Sequence, residues 1–159
     1  MAEIDVQIGM LAPDFTLPDT EDGHFHLKDE LANGPKILLF YPTDFGIVCS
    51  LEMRTFQGMR DEFDSREIGI IGISRNSIIT HKQWMESMRF HIRLLSDEAG
   101  SVCERYAGLQ DSGLLKGHPR RAIFILDRVG IIRYVWIARA EGLTPPFEEV
   151  MDKAKSLEL

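Results

Sequence analysis

The chain is short of cysteine, of basic charge and of long apolar runs, and each shortage removes a class of function. Only Cys49 and Cys103 occur. Two thiols are too few for a disulfide scaffold, and a reducing compartment keeps them as thiols. Apolar runs such as Ile37 to Tyr41 and Ala122 to Leu126 are far too short to span a bilayer. The first five residues have neither the basic region nor the apolar core of a signal peptide, so the cytoplasm is the expected compartment. Lys and Arg total 18 against 25 Asp and Glu, a net charge of −7. That balance argues against a nucleic-acid or anionic-membrane partner, while a small local basic pocket stays allowed. His24 and His26 alternate on an expected strand, but two ligands do not make a metal site, and no His/Cys cluster has ligand spacing. No metal and no cofactor is expected.

What is present has the patterning of an α/β protein. At 159 residues the length suits one domain with one core, expected to run over residues 1–159 without a linker. Alternation between Gly9 and Pro18, a turn at Asp22-Gly23 and a strand from His24 to Leu27 predict an N-terminal β-hairpin. Lys36 to Tyr41, bounded by Gly34-Pro35 and Pro42, reads as a central buried strand, and Ile68 to Ile73 as a second. Helices are expected from Cys49 to Phe63 (with Leu51, Phe56, Met59 and Phe63 inward), from Thr80 to Phe90 with Thr80 as cap, and from Ala99 to Tyr106. Leu94-Leu95 makes at best a short strand. Ala122 to Leu126 and Ile131 to Ile137 flank an Asp127-to-Gly130 turn, and Thr144-Pro145-Pro146 opens a last helix. Strands joined by helices run parallel and are covered on both faces. The expected fold is a thioredoxin-like α/β sandwich with an N-terminal β-hairpin extension.

The chemistry gathers at the segment FYPTDFGIVCS. Pro42 ends a strand, and Thr43 or Asp44 is placed to cap a helix that begins just beyond, which puts Cys49 in or near its first turn. Free N–H groups and the helix dipole there favour an anion, and the thiolate is the reactive form of cysteine. Lowering a thiol from about 8.5 to about 6 takes roughly 3.4 kcal/mol, of which the dipole supplies about 0.3–2. A cation must supply the rest, against Asp44 and Glu52. Taken on local spacing alone, Cys49 reads rather as a buried structural thiol.

Four blocks, GMLAPDFTLPDTEDGHFHL, KILLFYPTDFGIVCSLEM, LSDEAGSVCERYAG and RAIFILDRVGIIR, decide between these readings. In this order they resemble a peroxiredoxin over nearly the whole chain, of a short one-cysteine or bacterioferritin-comigratory-like branch. The resemblance implies a thiol peroxidase that reduces hydrogen peroxide or organic hydroperoxides through a sulfenic acid on Cys49. It implies that Pro42 shields the sulfur, that Arg121 is the required cation and helps bind substrate, and that Glu52 orients an arginine. Arg120 fits the register less well.

The pattern is broken at one position. Peroxiredoxins carry Thr or Ser three residues before the cysteine, where a hydroxyl bonds thiolate and peroxide; this chain has Gly46. Losing such a bond removes about 1.5–3 kcal/mol, or roughly tenfold to more than a hundredfold in rate. The alternative for Gly46 is that it merely suits a tight helix start. It also keeps open a second function, a redox sensor or binding protein with weak or no peroxidase activity. A thiol–disulfide oxidoreductase is disfavoured because no second cysteine adjoins Cys49. Cys103 shares an apolar helix face with Val102, Tyr106 and Ala107, so it is expected to be structural, with a resolving role as the minor alternative. The expected reductant is then an external thiol: thioredoxin, glutaredoxin or a small thiol. A face around the active-site loop suits a homodimer.

Overall fold

The computed structural model describes residues 6–140 and 142–157. Residues 1–5, considered above as a leader, lie outside them. A two-stranded antiparallel sheet, β1 (Thr16–Pro18) with β2 (His24–His26), precedes a five-stranded sheet. Its strands are β3 (Lys36–Phe40), β4 (Gly69–Ser74), β5 (Arg93–Ser96), β6 (Ala122–Leu126) and β7 (Ile132–Ile137), in the order β5-β4-β3-β6-β7. The helix-linked pairs β3/β4 and β4/β5 are parallel, and the hairpin β6/β7 joins antiparallel to β3 through β6. This is the thioredoxin-like arrangement expected from the element order.

β3 is central, and all five of its residues are buried. Successive side chains point to opposite faces, so its sequence feeds two cores at once. Ile37 and Leu39 pack with Ile123, Ile125 and Trp84 beneath α2 (Ile47–Ser65), α3 (Ile78–Met88) and α5 (Phe147–Lys155). Leu38 and Phe40 pack with Phe124 on the other face, beneath α1 (Leu27–Leu31), α4 (Ser101–Tyr106) and the hairpin. Cys49 belongs to the first core and Cys103 to the second, so the sheet separates the two thiols.

Several local expectations change. Leu27 starts α1 rather than ending β2, and no helix was expected there. On α2, Leu51 points outward with 59% exposure, while Cys49, Glu52, Met53, Phe56 and Phe63 form the buried stripe. A glutamate thus takes a position that the apolar pattern had assigned to leucine one residue earlier. The cap of α3 is Ser77, not Thr80: Ser77 is extended and its Oγ accepts from Thr80 N at 3.2 Å. Ser77→Ala should therefore cost about 1 kcal/mol of unfolding free energy in urea. No loss would show that the cap contributes nothing.

Candidate active site

The site forms where β3 ends. Tyr41 still bonds to the sheet through its N–H to Ile73 O, but Pro42 has no N–H to continue the ladder, and the chain turns. Neither Thr43 nor Asp44 caps α2; the cap residue is Gly46, with no side-chain bond. Asp44 is instead buried, its Oδ1 accepting from Tyr41 OH at 2.6 Å and its Oδ2 lying 2.7 Å from His81 Nδ1. His81 Nε2 is 2.8 Å from Leu95 O, and Asp44 N–H donates to Asn76 Oδ1 at 3.0 Å. The loop is thereby tied to α3 and to β5. Burial, and then the Asp44 carboxylate, push the Tyr41 hydroxyl pKa well up, so it remains a donor.

Cys49 lies in the first turn of α2 with 2% exposure. Arg121, immediately before β6, reaches across so that Nη1 is 3.2 Å from Cys49 Sγ and 2.7 Å from Glu52 Oε1. Glu52 is three residues after Cys49, which places both on the inward face of α2. The Thr43 backbone amide lies close enough to the sulfur to favour its charged form. Arg121 is 5% exposed, whereas Arg120 lies on the surface. The structure thus brings together Cys49, Arg121, Glu52, Pro42 and Gly46, and leaves Cys103 across the sheet.

The electrostatics correct one expectation. Burial pushes the Cys49 thiol above its ordinary range; Arg121 and the Thr43 amide pull it down, and Glu52 adds to the rise. The desolvation of a sulfur at 2% exposure outweighs the cation. Glu52 is likewise pushed up to about 7 by burial, against Arg121. Burial pulls Arg121 down, but its Cys49 and Glu52 neighbours carry it above its ordinary value. Asp44, expected to oppose the thiolate, is engaged with Tyr41 and His81.

Two features escaped sequence reading. His118 Nδ1 lies 3.2 Å from Pro42 O, which ties the loop before β6 to the turn. Beside Pro42 and Arg121 opens a cavity of about 260 Å³, with Arg120 and Arg139 on its wall. No spacing rule marks the histidine, because the loop that carries it is irregular.

Gly46 does not have the backbone of an obligatory glycine. Its φ is −69° and ψ 147°, open to any residue, while the left-handed conformation falls on Phe45 at φ 68°. A Cβ at Gly46 would make ordinary contacts, 3.5 Å from Cys49 Sγ and 3.5 Å from Thr43 Cγ2. The tight-start explanation therefore fails. Gly46→Thr should leave the unfolding free energy within about 1 kcal/mol of wild type or raise it. A much larger loss in urea unfolding would show that the turn does need glycine.

Comparison with known proteins identifies the family. The AhpC/TSA family matches residues 8–135. A peroxiredoxin of the Bcp type from Coxiella burnetii is 32% identical over 135 residues, covering 82% of this chain and 88% of that protein. Peroxiredoxin-2 of Mus musculus is 32% identical over 146 residues, 86% of this chain and 72% of its own. The crystal structure of peroxidoxin BcpB from Mycobacterium tuberculosis superposes with a TM-score of 0.84 at 25% identity, covering 97% of this chain and 99% of that one. By the family model and by these relatives, the chain belongs to the AhpC/TSA family, the peroxiredoxins.

Proposed function

We propose that the protein is a thiol peroxidase that reduces hydrogen peroxide or an organic hydroperoxide at Cys49. The observation that carries this reading is Arg121 Nη1 at 3.2 Å from Cys49 Sγ, in a site closed to bulk water. The Cys49 thiolate attacks the terminal oxygen of the hydroperoxide. An S–O bond forms as the O–O bond breaks, leaving a sulfenic acid and an alkoxide or hydroxide that takes a proton from water. Arg121 stabilises the thiolate and the charge that develops on the oxygens. Glu52 holds the guanidinium in place. Pro42, buried at the turn, screens the sulfur.

Resolution falls to an external thiol: thioredoxin, glutaredoxin or a small thiol. Cys103 lies in the opposite core, and burial, with Asp97 beside it, pushes its thiol far up, which suits a structural residue. Exposed Phe45, Ile47 and Leu51 lie at the start of α2 and support a homodimer through this face. A cytoplasmic setting accords with two free thiols. Among the described residues no helix is long and apolar enough to cross a membrane.

The raised Cys49 pKa favours a second reading, a slow redox sensor, and also sets the pH dependence. Below the pKa the thiolate fraction grows about tenfold per pH unit. The second-order rate with hydrogen peroxide should climb through neutral pH toward 9, with Cys49→Ser as an inactive blank. Activity persisting in Cys49→Ser would sink the assignment, and a slow rate even where the thiolate is formed would favour the sensor.

A further inference from the structure

Gly46 leaves the sulfur without the adjacent hydroxyl that peroxiredoxins carry, and the structure shows where a substitute lies. Resting on the peroxidase reading above, we propose that the Thr43 hydroxyl, turned by one χ1 step, hydrogen-bonds the peroxide at Cys49 and replaces the missing group.

One small space separates the two side chains. The position of a Cβ on Gly46 is 3.5 Å from Cys49 Sγ and 3.5 Å from Thr43 Cγ2. The main chain of Thr43 borders the same place, its carbonyl oxygen 3.6 Å from the Gly46 Cβ position. At present its methyl faces the space and its hydroxyl faces away. Oγ1 donates to Asp44 O at 3.2 Å and accepts from Asn76 Nδ2 at 3.4 Å. Both bonds are longer than the normal range, so little is lost in leaving them. Staggered wells lie about 120° apart, and a turn to the next well puts Oγ1 where Cγ2 now sits. Asn76 keeps its bonds to Asp44 N–H and Ser74 Oγ, so the loop stays anchored while the hydroxyl moves. A side chain at position 46 would fill the space; glycine leaves it open.

In the reaction the peroxide oxygens occupy this space. The Cys49 sulfur gives two electrons to the O–O bond, S–O forms, and the leaving oxygen departs as an anion that water protonates. Thr43 keeps its own proton throughout and donates a hydrogen bond to the leaving oxygen, where negative charge collects.

Stopped-flow rates with hydrogen peroxide test this in wild type, Thr43→Val, Thr43→Ser, Gly46→Thr and the Thr43→Val/Gly46→Thr double variant. Thr43→Val should lose about tenfold to a hundredfold. Thr43→Ser should recover all but a few-fold of that loss. The gain from Gly46→Thr should be much larger in the Thr43→Val background than in wild type, because the two hydroxyls serve one place. The thiolate absorbance titration of Cys49 should be the same in Thr43→Val as in wild type, since the backbone amide remains. A Thr43→Val rate equal to wild type overturns the proposal. So does an equal Gly46→Thr gain in both backgrounds, or a Thr43→Val loss that comes with a displaced Cys49 titration. If wild type consumes no peroxide, the peroxidase reading fails first; an active enzyme indifferent to Thr43 sinks this proposal alone.

Discussion

The site depends on one guanidinium. Arg121 Nη1 touches both the Cys49 sulfur and the Glu52 carboxylate in a place almost closed to water. Burial raises both acids, and Arg121 is the strongest influence that opposes the rise in each. Buried charges cost several kcal/mol each unless paired, so removing the arginine strands a carboxylate as well as a thiolate. The fold has to bring the start of β6 beside the end of β3, and the first turn of α2 over that junction. The antiparallel pairing of Phe40 with Ala122 does this, because Arg121 directly precedes Ala122.

The loop that presents the sulfur is fixed from several directions. Pro42 stops the strand, His118 holds its carbonyl, and Asp44 is buried against Tyr41 and His81. These contacts hold Phe45 at a φ of 68°, a conformation that costs a bulky residue about 1–3 kcal/mol. The strain sits beside Gly46 and not on it. Gly46 is thus a chemical difference at the sulfur and not a conformational requirement. The aromatic contact of Phe45 with Trp84, and of Trp84 with Tyr41, ties this strained turn into the same core that buries Cys49.

The fold was legible in the sequence wherever periodicity was strong. Lys36 to Tyr41 reads as a buried central strand because it is a short apolar run between punctuating prolines, and β3 is that strand. The helix start called for a cation and a strand end could supply it, but the choice of Arg121 over Arg120 came from the resemblance, since spacing alone does not bring such distant residues together. Glu52 was identified as an orienting group, yet the apolar pattern placed Leu51 inward, because a hydropathy stripe cannot recognise a buried carboxylate paired with arginine. Asp44 carried the composition of a cap, but its partners Tyr41 and His81 come from other elements, and those tertiary bonds overrode the local preference. The depth at which Cys49 is buried, and so the direction of its pKa, was likewise not available from local spacing.

The central claim is that Arg121 is the group that opposes the burial of Cys49 and limits the rise of its pKa. Thiolate absorbance of the reduced protein, titrated in wild type and in Arg121→Met with Cys49→Ser as background, measures it directly. The account predicts that loss of the guanidinium moves the Cys49 midpoint to higher pH by about one to three units. An Arg121→Met protein that titrates with wild type would contradict it.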